Sequence, residues 1–308
     1  GWSCMEMRKY CLKTGLTAYQ IKMLAVIFMT IDHLGAYGFE IPLFSAYNYQ
    51  LRLIGRIAMP LFLFALTESI RYTHSRSRFL LRLYLGAVGT GVFTSVTNYF
   101  FHETVGRFSL SNIFYTYLYV AVYVTLIEKI LEAARTKNWK QGILCTVGMG
   151  ATVLPHYLSE VLASVRLGDY GLTLEESMLV RDLIESFVMG PWGVEYTLLF
   201  VIMGVLMYFA GSKSRKAFVL VCFSLLCHFA GPAMVMGEGA FWEWVNSRTP
   251  FHIVFGSLQS KMILAAPIML LYNGQKGKSR KWFFYWYYPV HRYVISAVEY
   301  LYLVIRGT

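Results

Sequence analysis

The sequence predicts an all-α, polytopic transmembrane helical bundle of about nine helices (eight to ten), with the N-terminus in the cytoplasm. Hydrophobic residues make up 56% of the chain and charged residues only 15%. Apolar runs long enough to cross a bilayer as helices also recur along its length. A soluble domain this apolar would expose large hydrophobic patches. Residues 1–308 are therefore expected to form a single integral-membrane domain, with residues 1–4 as a candidate vector-derived remnant.

The apolar runs define the predicted helices in chain order. They lie at about 18–38, 51–70, 83–101, 112–132, 141–165, 183–209, 217–236, 251–272 and 282–305. The fifth run is interrupted by Pro155-His156, and the sixth by Gly190-Pro191-Trp192-Gly193. Both helices are therefore expected to be kinked or broken.

The basic residues predict the orientation. With the N-terminus inside, the inner segments carry roughly three times as many lysines and arginines as the outer segments. This asymmetry is typical of cytoplasmic loops, so the net charge of +11 indicates a membrane face and no nucleic-acid partner is expected. The histidines show no metal-ligand spacing such as HExxH, and no metal is expected.

The first predicted helix carries ionisable residues that membrane spans usually exclude. Lys22 lies at its inner end, and Asp32 and His33 lie well inside it. Such groups cost a few kcal/mol each at depth and are usually paired or functional. Lys22 and His33 are roughly 16 Å apart along the helix axis, about the reach of a pantetheine arm. The spacing suggests a cationic anchor at one end of such an arm and a titratable imidazole at the other.

Several ionisable residues are predicted to share one layer of the bundle. His33 and Arg56 each lie roughly 8 Å from the outer ends of the first two helices. A short loop makes these helices antiparallel neighbours, so Asp32 or His33 is expected to meet Arg56. Further ionisable residues near the midplane of later helices are Glu195, His228 and His291. The candidate catalytic residues are His33, Asp32, Arg56, His291 and Glu195. The alternative is that Asp32 and Arg56 form a structural ion pair and the histidines pack in the core.

Two basic segments on the predicted cytoplasmic side suggest a phosphate-binding site. Residues 71–82 follow the second helix, and residues 273–281 follow the eighth. Arginine and lysine beside hydroxyls and a glycine turn suit phosphate groups. The candidate donor contacts from this reasoning are Lys22, Arg71, Arg76, Arg78, Lys276 and Lys278. The alternative is that these are ordinary positive-inside loops.

Five dispersed motifs resemble the TraX family of membrane acetyltransferases, in the family's order and over about residues 21–295. They are KMLAVIFMTIDHLG at 22–35, LIGRIAMPLF at 53–62, YTHS at 72–75 followed by RL at 82–83, LYNG at 271–274, and FYWYYPVH at 284–291. The spacing from Lys22 to His33 is also similar to the basic-x10-His motif of the wider transmembrane acyltransferase group. The resemblance adds His74, Arg82 and Asn273 to the candidate donor contacts.

The resemblance implies acetyl transfer in a bacterial cytoplasmic (inner) membrane, with acetyl-CoA as donor and F-type pilin as the family's acceptor. For this chain we expect acetyl transfer to an amine or hydroxyl of a membrane-associated or extracytoplasmic acceptor. Such an acceptor would be a pilin-like protein amine, a peptide, or a surface glycan or lipid. His33 is expected to act as general base, with an acyl-imidazole nucleophile left open, and Arg56 is a candidate for stabilising the oxyanion. The competing interpretation is a transporter or flippase with an intramembrane ionisable site.

Overall fold

The computed structural model describes residues 14–165, 167–235, 258–278 and 280–306. It is 81% helical, and the described residues form no strand. The all-α class predicted from the hydropathy pattern is therefore confirmed. Three stretches of the described chain are apolar and long enough to cross a membrane, at Asn48–Arg71, Arg76–Glu103 and Ile113–Thr136. A shorter apolar helix covers Thr197–Ala210.

Most of the described α-helices overlap a predicted run, whereas the one at Pro42–Ala46 lies between the first two runs. They are α1 (Ala18–Tyr37), α2 (Pro42–Ala46), α3 (Asn48–Gly55), α4 (Ala58–Arg71), α5 (Arg76–Val105), α6 (Ile113–Thr136), α7 (Trp139–Ala151), α8 (Leu154–Ser164), α9 (Leu174–Val188), α10 (Thr197–Ala210), α11 (Lys213–Val235), α12 (Ala265–Leu270) and α13 (Lys281–Arg306). Short 3-10 helices lie at Leu167–Tyr170 and Gln259–Leu264. Of the eighth predicted helix, residues 251–257 lie outside the described residues.

The separate helices exceed nine because several predicted spans consist of two helices each. The second predicted span is α3 followed by α4, and the fifth is α7 followed by α8, with Pro155 in the first turn of α8. Proline suits that position because its missing N–H would have no helical partner there. The sixth predicted span is α9 followed by α10, with the glycine-proline segment between them. Both predicted breaks are confirmed.

The break between α9 and α10 is held by hydroxyl groups from one helix, α6. The Tyr115 hydroxyl donates to the Ser186 carbonyl at 2.5 Å, and the Tyr119 hydroxyl donates to the Met189 carbonyl at 2.8 Å. The Thr116 hydroxyl donates to the carbonyl of Glu195 at 2.8 Å. Carbonyls at a helix end or break lack a helical partner, and these three are satisfied by protein side chains. Hydrogen bonds from α6 therefore stabilise the break between α9 and α10.

The chain clusters into two compact units. The first comprises residues 1–68, 206–284 and 290–308, and the second comprises residues 69–205 and 285–289. In the first unit α1 packs against α3, and α11 packs against α12 and the 3-10 helix before it. In the second unit α5 packs against α6 and α9, and α6 packs against α7. The single-domain expectation stays a prediction.

Orientation in the membrane also stays a prediction, and cysteine labelling tests it. We expect Ser77→Cys and Lys278→Cys, in a cysteine-free background, to react with a membrane-impermeant maleimide only from the cytoplasmic side. Asp169→Cys should react only from outside. All three positions are exposed. Gly277 is a poor labelling site, because its positive φ of +70° and the adjacent Thr17 side chain disfavour any larger residue. Labelling of Ser77→Cys from outside would reverse the orientation.

Candidate functional site

His33 and His291 meet in the first unit, where α1 and α13 bring them together. Nδ1 of His33 lies 2.5 Å from Nε2 of His291, and the two rings are nearly parallel, with an interplanar angle of 11°. Both side chains are buried, and the Tyr37 ring packs edge-on against His33. Two neutral imidazoles form such a contact when one nitrogen donates and the other accepts. If His33 donates from Nδ1, its Nε2 keeps a lone pair and can accept a proton.

Asp32 lies between two arginines of the neighbouring helical segment. Arg52 Nη1 contacts Asp32 Oδ2 at 2.8 Å, and Arg56 Nη2 contacts Asp32 Oδ1 at 3.3 Å. A Cβ atom at Gly55 would overlap the Asp32 side chain, so glycine at that position lets α3 approach α1. The structure contains the expected Asp32–Arg56 pair. Asp32 also points to a different group from its neighbour His33, as their 100° separation around the helix requires.

Arg52 is one of the site residues that sequence reasoning missed. Arg52 lies at the predicted outer start of the second apolar run and was not among the candidate residues, yet it shares Asp32 with Arg56. Arg52 and Arg56 are four residues apart, a spacing that places two side chains on one face of a helix. This spacing could have indicated from the sequence that Arg52 lies beside Arg56.

Arg56 has further contacts. Its Nε donates to the Arg52 carbonyl at 3.3 Å, and its Nη1 donates to Gln259 Oε1 at 3.4 Å. Gln259 begins the 3-10 helix before α12 and formed no part of the predicted site. Arg292, next to His291 on α13, is also buried. The site thus combines an imidazole pair, three guanidinium groups and one carboxylate.

Glu195 and His228 have surroundings of their own. Glu195 belongs to the second unit, where its carboxylate accepts a hydrogen bond from the Tyr288 hydroxyl. The same hydroxyl accepts from the Ile113 N–H at 3.2 Å. The predicted role of Glu195 beside His33 stays a prediction. His228 is buried on α11 and packs edge-on against Phe229.

In the first unit, the segment after α12 is bonded to the start of α1. The N–H groups of Ala18 and Tyr19 donate to the carbonyls of Gln275 and Lys276, at 2.8 and 3.1 Å. Thr17 and Gln20 form a capping box on the same helix. The first amides of α1 are therefore satisfied by the protein, so a phosphate here would have to bind side chains.

Lys22, Lys276 and Asn273 lie around this junction. Lys22 is half-buried near the start of α1, and Lys276 is exposed on the segment after α12. Lys278 is exposed on the same segment. The Asn273 side chain donates to the Gly15 carbonyl at 3.2 Å and accepts from the Gln275 N–H at 2.9 Å. Its amide therefore positions the segment, and a direct contact to a donor stays a prediction.

In the second unit, basic residues gather at the beginning of α5. Ser75 caps this helix by accepting from the Arg78 N–H, and the first turn contains no acidic residue. The basic residues of this unit among the candidate donor contacts are Arg71, His74, Arg76, Arg78 and Arg82. Arg76 contacts Glu128 at 3.1 Å. Positive charge is unfavourable at the positive end of a helix dipole, and a bound phosphate would offset it. The charge arrangement in each unit thus fits a polyanionic donor.

Comparison with known proteins places the chain in a family. A family model described as TraX protein matches residues 17–177, just over half of the chain. No curated protein matches the chain, and no solved structure matches it. The matched segment begins at the cap of α1 and ends early in α9, so it contains Lys22, Asp32, His33 and Arg56. The chain therefore belongs to the TraX family.

Proposed function

We propose that this protein transfers an acetyl group from acetyl-CoA to an amine or hydroxyl of a membrane-associated or extracytoplasmic acceptor, with His33 as general base. The observation that carries the proposal is the buried contact between His33 and His291 beside an arginine cluster. Family membership supports the choice of reaction. Lys22, on the same helix as His33, supports the choice of donor.

The proposed base is Nε2 of His33. It takes the proton of the acceptor hydroxyl or amine while the acceptor oxygen or nitrogen bonds to the acyl carbon of the thioester. The carbon–sulfur bond breaks, and coenzyme A leaves as a thiolate that recovers the proton from the imidazolium. His291 is a positioning residue in this scheme, because its Nε2 accepts from Nδ1 of His33 and thereby favours the tautomer with a free Nε2.

The arginine cluster supplies positive charge for the reaction. Negative charge develops on the acyl carbonyl oxygen during attack, and fixed donors in a dry site stabilise it strongly. Arg56 is the proposed donor, because contacts to Asp32, the Arg52 carbonyl and Gln259 hold its guanidinium in one place. Asp32 is a positioning residue that holds two arginines against α1. The candidate contacts for the donor phosphates are, in the first unit, the basic side chains around Lys22 and, in the second unit, those at the beginning of α5.

A transporter or flippase would also place charged residues inside the membrane and break its helices. In transporters of this kind, unwound carbonyls coordinate the transported ion. In this protein, the carbonyls at the break between α9 and α10 accept hydrogen bonds from the hydroxyls of Tyr115, Thr116 and Tyr119. Each of these carbonyls already accepts a hydrogen bond from the protein, which makes it less available to coordinate a transported ion.

Thioester cleavage by the purified protein tests the proposed function. We expect release of free coenzyme A from acetyl-CoA, increased by a suitable acceptor, and no such release with boiled protein.

If Lys22 and Arg78 bind the donor phosphates, Lys22→Ala and Arg78→Ala should each raise the apparent KM for acetyl-CoA roughly ten- to a hundredfold. Charge-assisted hydrogen bonds of about 1.5–3 kcal/mol account for that range.

The control for the donor variants is Lys140→Ala, which removes an exposed lysine from another segment predicted to be cytoplasmic. Its KM for acetyl-CoA should match that of the wild type. Unchanged donor affinity in both Lys22→Ala and Arg78→Ala would leave these residues as topology signals only.

A further inference from the structure

A cavity lies in the second unit, between α9 and the turn that joins it to α8. Its volume is about 380 Å³, within the range of roughly 300–1,000 Å³ that small-molecule pockets occupy. The 3-10 helix at Leu167–Tyr170 packs on α9 at this turn. The side chains that line the cavity are mostly apolar and include Leu167, Leu172, Leu174, Ser177, Met178 and Arg181.

One face of α9 supplies much of this lining. The lining residues of α9 are spaced at i, i+3, i+4 and i+7, so they share one side of the helix. Glu175 and Asp182 lie about 100° further around α9, where Arg107 contacts their carboxylates at 3.5 and 3.2 Å. The cavity therefore has a lining without a carboxylate, although α9 itself is rich in acidic residues.

Arg181 is the charged residue of the lining. Its Nη2 donates to the Val165 carbonyl at 3.0 Å, which ties α9 to the end of α8. In the described part of the chain, this is its one side-chain hydrogen bond, and no carboxylate forms an ion pair with it. A guanidinium has five N–H donors in a planar fork that matches a phosphate. Arg181 is exposed, so its remaining N–H groups can hold an acidic group at the cavity.

The turn around the cavity has the surface of a membrane boundary. Tyr170 is 76% exposed and Leu174 is 70% exposed, and the turn is predicted to lie at the outer ends of two membrane helices. Tyrosine beside exposed aliphatic side chains is typical of the membrane–water interface. Lipid is therefore the molecule that reaches this cavity most readily.

We infer that the cavity binds an anionic phospholipid of the outer leaflet, with one acyl chain along its leucine and methionine side chains and the phosphate at Arg181. The acyl chain accounts for the apolar lining, which a free phosphate would leave uncovered. A lipid with a net negative charge suits Arg181 better than a zwitterionic one, whose ammonium group would be repelled by the guanidinium. This site goes beyond the proposed acetyl transfer and does not depend on it.

Lipid titration of the delipidated full-length protein in a neutral detergent tests the inference. Native mass spectrometry counts the bound lipid, and thermal unfolding measures the stabilisation that binding provides. We expect one phosphatidylglycerol to bind more tightly than any further lipid and to raise the Tm. Phosphatidylethanolamine with the same chains should bind roughly tenfold more weakly. Glycerol 3-phosphate, which has the phosphate without the chains, should leave the Tm unchanged.

Two variants separate the headgroup contact from the chain contact. Arg181→Gln should weaken phosphatidylglycerol binding roughly ten- to a hundredfold, the range of a charge-assisted contact, whereas Arg181→Lys should keep part of it because the charge remains. Ser177→Phe places a ring in the cavity and should remove the tight binding although Arg181 is intact. The control is Arg306→Gln, at an exposed arginine near the end of α13, which should bind phosphatidylglycerol like the wild type.

Equal affinity for phosphatidylglycerol and phosphatidylethanolamine would overturn the inference, and so would equal affinity in Arg181→Gln and the wild type. Unchanged binding in Ser177→Phe would place the lipid outside the cavity and would also overturn it. A rise in Tm with glycerol 3-phosphate alone would identify a free phosphate as the ligand instead. Should loss of the Val165 contact unfold Arg181→Gln, the comparison of Ser177→Phe with the wild type decides by itself.

Discussion

Replacing His33 with alanine is expected to lower acetyl transfer by about 10²–10⁴-fold while leaving the Tm and the affinity for acetyl-CoA close to the wild-type values. Loss of a positioned general base typically costs this much in rate. The base acts on the acceptor proton in the transition state, so its removal need not weaken donor binding in the ground state. Donor binding, thermal unfolding and acetyl transfer should be measured on the same preparation of His33→Ala.

His156→Ala is the matched control. His156 lies in the second unit, beside Glu160 at 3.5 Å, and has no assigned role in the reaction. Its acetyl transfer should stay within about twofold of the wild-type rate, well inside the range that loss of a base would exceed. A stable His33→Ala protein that retains more than about a tenth of wild-type transfer would remove His33 from the role of base. A large loss of stability with a modest change in rate would indicate a packing histidine instead.

Lys216 should have the largest effect on stability. In the first unit its Nζ contacts the carboxylate of Glu68, donates to the Thr67 hydroxyl at 2.8 Å and lies 5.2 Å from the centre of the Phe64 ring. The Lys216 side chain is 0% exposed and that of Glu68 is 10% exposed. A lysine is almost never buried this completely unless it is paired. The pair links the end of α4 to the beginning of α11.

Lys216→Met is expected to lower the free energy of unfolding by about 3–5 kcal/mol, because it leaves the Glu68 carboxylate buried without its cation. The double variant Lys216→Met with Glu68→Leu should recover most of that loss, since no buried charge then remains. Denaturant unfolding in a fixed detergent measures both. Arg76→Met removes the more exposed Arg76–Glu128 pair and should cost no more than about 1 kcal/mol. A loss that small for Lys216→Met would show that the pair contributes little.

The sequence predicted the architecture well because membrane helices are specified by local patterns. A span needs a continuous apolar run, so the helix positions could be read directly from the chain. Proline and glycine-proline segments disfavour a regular helix interior, so the breaks before α8 and between α9 and α10 were visible too, although Pro289 lies within the continuous helix α13. Two adjacent helices in place of the second predicted span were not foreseen, because the run from 51 to 70 is mostly apolar on both sides of the junction at Arg56-Ile57.

The site was only partly predictable. The pairing of Asp32 with Arg56 followed from depth along two helices joined by a short connection. The contact of His33 with His291 was one of several options, because 258 positions separate these residues and depth alone does not select a partner. Lys216 lies between the sixth and seventh apolar runs, in a segment that the charge asymmetry predicts to be cytoplasmic, yet it is buried. Counting charges along the chain does not show whether a lysine is paired with a carboxylate in the folded protein, and such a pair allows a lysine to be buried.

The sequence by itself determined the helical membrane class, the broken helices and the ionisable residues that α1 carries. Only the tertiary structure decided which of those residues meet: His291 at His33, Arg52 as a second partner of Asp32, and Gln259 at Arg56. The physical reason is that hydropathy specifies where a helix lies along the chain, whereas packing specifies its rotation and tilt. Side-chain contacts depend on that rotation, because one residue step turns a side chain by about 100° around the helix.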